Sequence, residues 1–362
     1  MVTLQVNVRA PGVLSRLQSE MRNGKISEEM WNLYLSRVIV KNDPRLSDPD
    51  SPFVKHEINF IVHRHRIRVM QSLDNAKDRS RKDKVPLYVV QAYDQPVRPE
   101  DAKKFTLEVR KELLNKVSPD QTKSLPSFLP LYVGMRLVLS SKDCVKFGIM
   151  KGCPCILRHI VFSEDELLPS NLVAGQVHQL TYMPVSLVLQ VEGAEWRLPS
   201  SDLPVGLPSN IDRKGIFQLR PTYDYLNVKL GEEYMKVRRT TFFAHPADTI
   251  TVYAAQGGTF DAVIADMSRP PNFDDGKHWL ACYVMLSRAK SLEGFLVLRP
   301  ATLKDLLTAL VRAICPFQGS NSKKKHWQTV KLKEKNYTFS IGPLILLSAT
   351  IFINSFVNKL IK

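Results

Sequence analysis

Residues 249–266, TITVYAAQGGTFDAVIAD, contain the pattern that decides the fold. Two short apolar runs, 249–253 and 260–266, are separated by a polar turn that contains two glycines. Runs of this length, bounded by glycine, predict two strands of an α/β domain. In open α/β sheets, ligands bind at the turns that follow the carboxyl ends of strands. The turn is therefore the first candidate binding site.

The composition of this turn suits a phosphate group. Gly257 and Gly258 allow backbone N–H groups to approach an anion closely, and Gln256 and Thr259 offer side-chain hydrogen bonds. Many connections between strands have a similar composition. By itself, the turn is only a weak indication of a binding site.

A second polar segment follows the next predicted helix, which covers residues 278–286. The helix ends at Ser287-Arg288-Ala289, and a strand is predicted over residues 295–298. An arginine held at a helix end can reach an anion across an interface. Taken alone, Arg288 fits better as a surface residue that neutralises the negative carboxyl end of the helix.

The middle of the chain has a different pattern. From residue 131 to residue 243, short alternating runs are separated by Gly, Pro, Asn and Asp, as in 223–230 and 234–243. This pattern predicts a small antiparallel barrel or sandwich. We therefore predict a three-layer α/β lobe (1–128 and 246–312), an inserted β-barrel (129–245) and a basic, then hydrophobic tail (313–362).

The charge balance favours an acidic partner. Lys and Arg number 51 against 35 Asp and Glu, which gives a net charge of +16 and a pI near 9.6. Such a surplus points to nucleic acid before an anionic membrane. Two basic clusters are candidates for phosphate contact, Arg64 with Arg66 and Arg238 with Arg239. Trp196 and Tyr225 are candidates for stacking on bases, although packing in the barrel core is the favoured interpretation.

The five cysteines include no CxxC pair, which fits a reducing compartment. Cys144, Cys153, Cys155 and His159 lie close in sequence, but a zinc site requires four ligands that converge on one point. Cys153 and Cys155 alternate within an apolar run, as residues on one face of a strand do. We predict buried thiols and no metal site.

The end of the chain leaves several alternatives open. Residues 337–357 carry no charge and are long enough to span a bilayer, but polar residues interrupt them. Membrane anchoring, a marginal hydrophobic tail and an error in the predicted gene are all compatible with this pattern.

The two polar segments together resemble motifs V and VI of superfamily-one helicases, in the Pif/RecD-like branch. Gln256-Gly257 with Thr259 matches "QGxT", and residues 283–289 match "YVxLSRA". Residues 4–9, which end at Arg9, resemble motif IV. Residues 131–139 and 148–152 are similar to the segment that leads into the family's barrel. The resemblance covers about residues 1–310 and is most specific in its last third.

The resemblance implies a P-loop NTPase-type fold, the second RecA-like lobe of a motor that couples ATP hydrolysis to 5′-to-3′ movement on single-stranded DNA. ATP lies between two such lobes in the family. Arg288 and Arg9 would be arginine fingers, with Gln256 and Gly257 beside the nucleotide. The expected DNA contacts are Thr249, Thr251, Thr259, Arg64, Arg66, Arg238 and Arg239. The expected setting is DNA repair or recombination, most simply in the nucleus.

Three departures from the family pattern limit these expectations. Tyr253-Ala254 stands where motif V usually has His-Lys, and no GxxxxGK[ST] sequence occurs in the chain. Asp266 ends a strand, but no acidic partner follows it, so we interpret it as part of the second lobe rather than as a magnesium ligand. The sequence begins just before motif IV. We therefore expect ATP and Mg²⁺ only where a complementary first lobe is supplied.

Three hypotheses follow from the sequence. The chain is a portion of a helicase motor, or a non-catalytic module that binds single-stranded nucleic acid, or a membrane-tethered interaction protein that uses residues 337–357.

Overall fold

The structure is a computed structural model, and it describes residues 12–115, 125–140, 149, 151–199, 202–203, 207–230 and 233–307. Arg9 and the motif IV segment lie outside the described residues. The same is true of Cys144 and of the tail from residue 308 onward, including residues 337–357. Within the described part of the chain, none of the helices combines the length and the apolar character needed to cross a bilayer.

The helices and strands follow one another in the order expected of a divided α/β lobe. The described α-helices are α1 (Val13–Arg22), α2 (Glu28–Ser36), α3 (Pro52–Lys55), α4 (His65–Lys82), α5 (Leu107–Asn115), α6 (Asp275–Leu286) and α7 (Leu303–Leu307). Short 3-10 helices cover Pro44–Leu46 and Pro99–Lys104. The strands are β1 (Ile58–Val62), β2 (Leu87–Gln91), β3 (Tyr93–Pro96), β4 (Phe128–Leu131), β5 (Arg136–Leu139), β6 (Pro154–Val161), β7 (Val177–Gln179), β8 (Ser186–Val191), β9 (Ile216–Leu219), β10 (Thr222–Leu230), β11 (Glu233–Thr241), β12 (Ala244–Pro246), β13 (Thr249–Thr251), β14 (Ala262–Asp266) and β15 (Phe295–Arg299).

The lobe is built on a parallel sheet with the strand order β13-β1-β14-β15. On one face, α1, α2, α6 and α7 pack against the sheet in a core that includes Leu17, Tyr34, Met285 and Phe295. On the other face, Phe53 of α3 packs against β14 and β15, and α4 lies against β13 and β1. The strands are buried on both faces, as in parallel sheets covered by helices. These layers confirm the predicted three-layer α/β lobe.

Local sequence signals place two of these helices. The Ser27 hydroxyl accepts a hydrogen bond from the backbone N–H of Met30 and caps α2. The Asp274 carboxylate accepts one from the backbone N–H of Lys277, which starts α6 three residues before the predicted His278. The earlier start adds a turn to the helix that carries the motif VI segment.

The described residues of the β-rich part form three sheets, with strand orders β12-β5-β6-β8-β9, β4-β2-β7 and β10-β11-β3. Strand β2 pairs with β4 and β7, and β3 pairs with β11. The β-rich part therefore begins at Leu87, before the boundary of 129 that the alternation pattern indicates. Alternation reveals a strand but not its partner, so the sequence could not assign β2 and β3 to these sheets.

The core of the β-rich part is apolar, and Leu137, Leu157, Leu189 and Phe217 lie at its centre. Cys155 is fully buried in this core, as predicted. Cys153 is half-buried beside it, which corrects its prediction as a buried thiol. Trp196 also packs against the core, which confirms the favoured interpretation for that residue.

Candidate functional site

The glycine turn that follows β13 is exposed to solvent at its tip. Ala255, Gln256 and Gly258 are held in successive turns by backbone hydrogen bonds to Thr251, Tyr253 and Ala255. Gln256 and Gly257 are both exposed. Gly257 has a φ of 86°, which favours glycine over every other residue. The turn thus offers a free amide side chain beside a backbone position that only glycine fits well.

Arg288 clamps this turn to the end of α6. Its Nη1 donates to the carbonyl oxygens of Ala255 at 3.3 Å and Gly258 at 2.9 Å, and its Nε donates to that of Val284 at 3.1 Å. Its Nη2 donates to the Ser287 hydroxyl at 2.7 Å. The residue is 7% exposed. The structure therefore brings the motif V and motif VI segments together, with the arginine directed into the fold.

The backbone reinforces the same junction. The N–H of Phe260 donates to the carbonyl of Arg288 at 2.8 Å, and the N–H of Lys290 donates to that of Phe260 at 3.0 Å. A Cβ added to Gly294 would lie 1.9 Å from the carbonyl oxygen of Asp261, so glycine is required where β15 begins. The turn and the helix end form one unit, which we call the clamped rim (residues 255–260 and 284–290).

The resemblance implies that Arg288 is an arginine finger, a side chain that reaches a phosphate across an interface. As the side chain lies, its donors are directed at backbone carbonyls and at a hydroxyl. Contact with a phosphate would require the guanidinium to leave these partners and turn outward. That role stays a prediction, as does the role of Arg9, which lies outside the described residues.

The three threonines predicted to touch DNA are not equivalent. Thr249 and Thr251 are 1% and 4% exposed, and the Thr249 hydroxyl accepts a hydrogen bond from Asn75 at 3.3 Å. Their burial in the parallel sheet corrects the prediction of direct phosphate contact by these two side chains. Thr259 is half-buried and lies on the wall of a cleft, so it remains a candidate.

That cleft separates the lobe from the β-rich part and has a volume of about 770 Å³. Thr259, Phe260 and Asp261 line it from the lobe, and Arg158 and Lys214 line it from the other side. Acidic residues also line the cleft, namely Glu57, Glu192, Glu195 and Asp212. This mixture of charges gives the cleft no clear preference for a polyanion.

Arg64 and Arg66 lie where the sequence placed them, on the surface at the start of a helix. Arg64 is the residue before α4, and both side chains are exposed. One guanidinium nitrogen of Arg64 donates to the carbonyl of Pro271 at 2.5 Å. A helix N-terminus favours anions, so the position remains suitable for phosphate contact.

The neighbours Arg238 and Arg239 point to opposite faces of β11. Arg239 is fully buried and forms an ion pair with Asp94, with nitrogen–oxygen distances of 2.8 and 2.7 Å. It also donates to the Ser127 hydroxyl and to the carbonyl of Leu113. Arg239 is therefore a structural residue, which corrects its prediction as a DNA contact. Successive side chains in a strand alternate between faces, so only Arg238 reaches the surface.

The outer face of β10-β11-β3 combines aromatic rings with cations. We call the set Tyr93, Tyr223, Tyr225, Tyr234, Lys236 and Arg238 the tyrosine face. The Lys236 ammonium lies 4.5 Å from the ring centre of Tyr225, and the Arg238 guanidinium lies 5.4 Å from that of Tyr223. Tyr93, Tyr223 and Tyr234 are each more than half exposed.

This face corrects the favoured interpretation of Tyr225. It does not pack in the barrel core, because the inner face of the same sheet carries Val228, Met235 and Val237 against α5. Tyr93 and Tyr234 are surface aromatics that were not predicted from the sequence. Tyr234, Lys236 and Arg238 are each two residues apart, and every second residue of a strand lies on the same face. This spacing could have identified the face.

A separate cluster lies at the carboxyl edge of the parallel sheet. His63 follows β1, and His278 and Cys282 lie on α6. Burial lowers the pKa of the His63 imidazole to about 4 and raises the pKa of the Cys282 thiol. Nearby, Asp266 is 1% exposed and is paired with Arg299, whose Nε lies 2.9 Å from its carboxylate. Asp266 is thus already neutralised by an arginine.

Comparison with known proteins gives matches in structure only. No family model matches the chain, and no curated protein matches it. Among solved structures, it is similar to the Pif1 helicase from Candida albicans, with 15% identity, a TM-score of 0.46, and coverage of 82% of this chain and 54% of that one. It is also similar to the Pif1 helicase from Bacteroides in complex with ADP-AlF3 and ssDNA, with 17% identity, a TM-score of 0.48, and coverage of 84% and 53%.

A third similar structure is Bacteroides Pif1 bound to ssDNA, with 16% identity, a TM-score of 0.44, and coverage of 82% and 51%. The chain spans about half the length of each of these proteins.

Proposed function

We propose that this chain forms the second RecA-like lobe and inserted barrel of an ATP-dependent 5′-to-3′ DNA helicase, and that it binds single-stranded DNA. The observation that supports this most is the clamped rim. There, the motif V turn and the motif VI arginine are distant in sequence and share hydrogen bonds. A chance match of either short motif would not require the two to meet.

The clamped rim also suggests how a nucleotide would act on DNA. Arg288 holds the turn through the carbonyl oxygens of Ala255 and Gly258. A phosphate that drew the guanidinium outward would release those carbonyls and free the turn next to Thr259. Charge-assisted hydrogen bonds contribute about 1.5–3 kcal/mol each, so this exchange is large enough to change the conformation of the turn.

ATP and Mg²⁺ would be held mainly by a first lobe that supplies the phosphate-binding loop. This chain would contribute Gln256 and Gly257 beside the nucleotide, and Arg288 with Arg9 to stabilise charge on the transferred phosphoryl group. A nuclear role in DNA repair or recombination, and membrane association through residues 337–357, are part of the same proposal and rest on the sequence alone.

Crosslinking followed by mass spectrometry tests the lobe assignment. Single-stranded DNA that carries photoreactive bases is bound to the full chain, irradiated and digested, and the crosslinked peptides are identified. We expect crosslinks in the peptide that contains Gln256 and Thr259, and fewer of them in Gln256→Ala. Crosslinks that avoid this peptide would contradict the assignment.

A hydrolysis assay tests the division of labour between lobes. We expect the isolated chain to hydrolyse no more ATP than the variant Arg288→Ala, with or without single-stranded DNA. Hydrolysis that DNA stimulates and that Arg288→Ala abolishes would contradict the claim that the pocket needs another lobe.

A second candidate function is a non-catalytic module that binds single-stranded nucleic acid, and the tyrosine face favours it. Exposed aromatic rings interleaved with cations allow bases to stack and phosphates to pair without sequence preference. In the crosslinking experiment, this function predicts that the main products contain Tyr223, Tyr225 or Tyr234. Its binding would also be independent of nucleotide.

A further inference from the structure

We propose that His63, His278 and Cys282 form a zinc-binding site at the carboxyl edge of the parallel sheet. This site lies apart from the clamped rim and the tyrosine face, and it does not depend on the helicase proposal. The sequence predicts no metal site, and the cluster of Cys144, Cys153, Cys155 and His159 contains none of these three residues.

The geometry of the cluster is close to that of a metal centre. One ligand atom from each of the three residues lies within 4.8 Å of the other two. The Cys282 sulfur lies 3.7 Å from Nε2 and 3.9 Å from Nδ1 of His278. Tetrahedral zinc, with bonds of about 2.0 Å to nitrogen and about 2.3 Å to sulfur, separates its ligand atoms by about 3.3–3.5 Å. Small side-chain adjustments would bring the three atoms to those separations.

The scaffold holds these ligands without long flexible loops. His278 and Cys282 are four residues apart on α6, so their side chains leave the same face of one helix. His63 follows β1 directly and contacts His278, with 5.2 Å between ring centres. His278 and Cys282 are fully buried, and His63 is 9% exposed.

His63 provides an independent indication of a ligand. Both of its ring nitrogens are buried and have no hydrogen-bond partner among the described residues. A neutral imidazole has one donor and one acceptor, and leaving both unsatisfied in the interior is costly. A metal bond to one nitrogen would satisfy the acceptor. The phenyl ring of Phe273, 5.6 Å away from the imidazole, offers no hydrogen-bond acceptor of ordinary strength.

The chemistry of the three donors selects the ion. Two imidazoles and a thiolate suit borderline-soft cations, and zinc is the divalent ion of that class with a tetrahedral preference. On binding, the sulfur–hydrogen bond of Cys282 breaks, a sulfur–zinc bond forms and the proton passes to solvent. The three converging ligand atoms come from His63, His278 and Cys282, and the nearby carboxylate of Asp305 is not among them. We therefore assign the fourth position to water.

Asp305 fits an outer role. Its carboxylate lies 3.9 Å from Nε2 of His278 and accepts hydrogen bonds from the backbone and hydroxyl of Thr302. A carboxylate that accepts the free ring N–H of a metal-bound histidine fixes the orientation of the ring. Asp305 is therefore assigned as a positioning residue that acts through His278.

The experiment titrates cobalt(II), a spectroscopic substitute for zinc, into the full chain after removal of bound metal. We expect one equivalent to produce the visible bands of tetrahedral cobalt and a near-ultraviolet sulfur-to-cobalt charge-transfer band. One equivalent of zinc should abolish both. Cys282→Ser should lose the charge-transfer band, while the matched control Cys153→Ser, a half-buried free thiol of the β-rich part, should keep it.

Asp305→Asn should keep the bands and weaken cobalt binding about 10- to 100-fold, the range for loss of an outer-shell partner. Circular dichroism checks that each variant folds. If Cys282→Ser does not fold, X-ray absorption of the zinc-loaded wild-type chain decides the question, and one sulfur with two imidazole neighbours is expected. Absence of binding, a coordination shell without sulfur, or a charge-transfer band that survives Cys282→Ser would each overturn the proposal.

Discussion

The clamped rim and the tyrosine face present their cationic side chains in opposite ways. In the clamped rim, Arg288 is buried and its guanidinium is hydrogen-bonded to the protein itself. On the tyrosine face, Lys236 lies over the half-buried ring of Tyr225 and Arg238 over the exposed ring of Tyr223, and both cations are open to solvent. The first region would need a conformational change before its guanidinium could reach a ligand, whereas the second already presents its cations to solvent. We therefore refer to the clamped rim as the proposed switch and to the tyrosine face as the proposed platform.

The largest expected effect concerns Arg239, which is buried on the face of β11 opposite the tyrosine face. Arg239→Met should lower the free energy of unfolding by about 3–5 kcal/mol, because Asp94 would be left as a buried charge without its partner. Urea denaturation measures this change. Arg238→Met, one residue away on the opposite face, is the matched control and should cost less than about 0.5 kcal/mol. Equal effects of the two variants would contradict the assignment of faces.

The next effect concerns the switch. Arg288→Ala should lower the free energy of unfolding by about 2–3 kcal/mol, because carbonyl groups at the turn lose a charged donor. Hydrogen exchange should become faster at residues 255–258. Lys290→Ala removes an exposed ion pair with Asp261 and should cost at most about 1 kcal/mol. An unchanged exchange rate in Arg288→Ala would show that the arginine does not hold the turn.

The sequence predicted most of the lobe because its signals are local. The strands predicted over residues 260–266 and 295–298 are found at Ala262–Asp266 and Phe295–Arg299. The face of the strand on which each side chain lies was harder to predict. The sequence placed both Arg238 and Arg239 in one basic cluster, although strand alternation separates them. Arg239 lies on the same face of the strand as Val237, which packs against α5, whereas Arg238 lies on the other face.

The His63 cluster could not be predicted in full. Its two helical members carry a local signal, a histidine and a cysteine spaced by four residues. His63 joins them only because β1 and β14 are neighbours in the sheet, which is a property of the topology. The burial of Arg288 was equally hidden, since its partners are backbone carbonyls of a distant turn.

A pH experiment tests how much one buried carboxylate of the lobe contributes to the free energy of unfolding. In the lobe, hydrogen bonds from Arg45 lower the pKa of the buried Asp43 carboxyl to about 2. This stabilising contribution, about 2 kcal/mol, is fully present above the unfolded-state pKa of about 3.9 and is lost as the pH falls towards 2. Denaturation between pH 5 and pH 2 should show it, and Asp43→Asn should flatten the profile. Asp50→Asn, at an exposed carboxylate, is the control.

Equal pH profiles for the wild-type chain and Asp43→Asn would contradict this account of Asp43.

The smallest effect is on binding by the platform. Tyr225→Ala should weaken the affinity for single-stranded DNA by about 1 kcal/mol, roughly fivefold, because one stacking surface is lost. The free energy of unfolding should hardly change. Tyr182→Ala, an exposed tyrosine outside the tyrosine face, provides the control. Equal losses of affinity in the two variants would remove the platform from the account.

The most direct test of the central claim is a fluorescence anisotropy titration of labelled single-stranded oligonucleotide and of duplex of equal length with the full chain. We predict tighter binding to the single strand, with an affinity that falls steeply as the salt concentration rises. Absence of binding at low salt, or equal affinity for the duplex, would contradict the account.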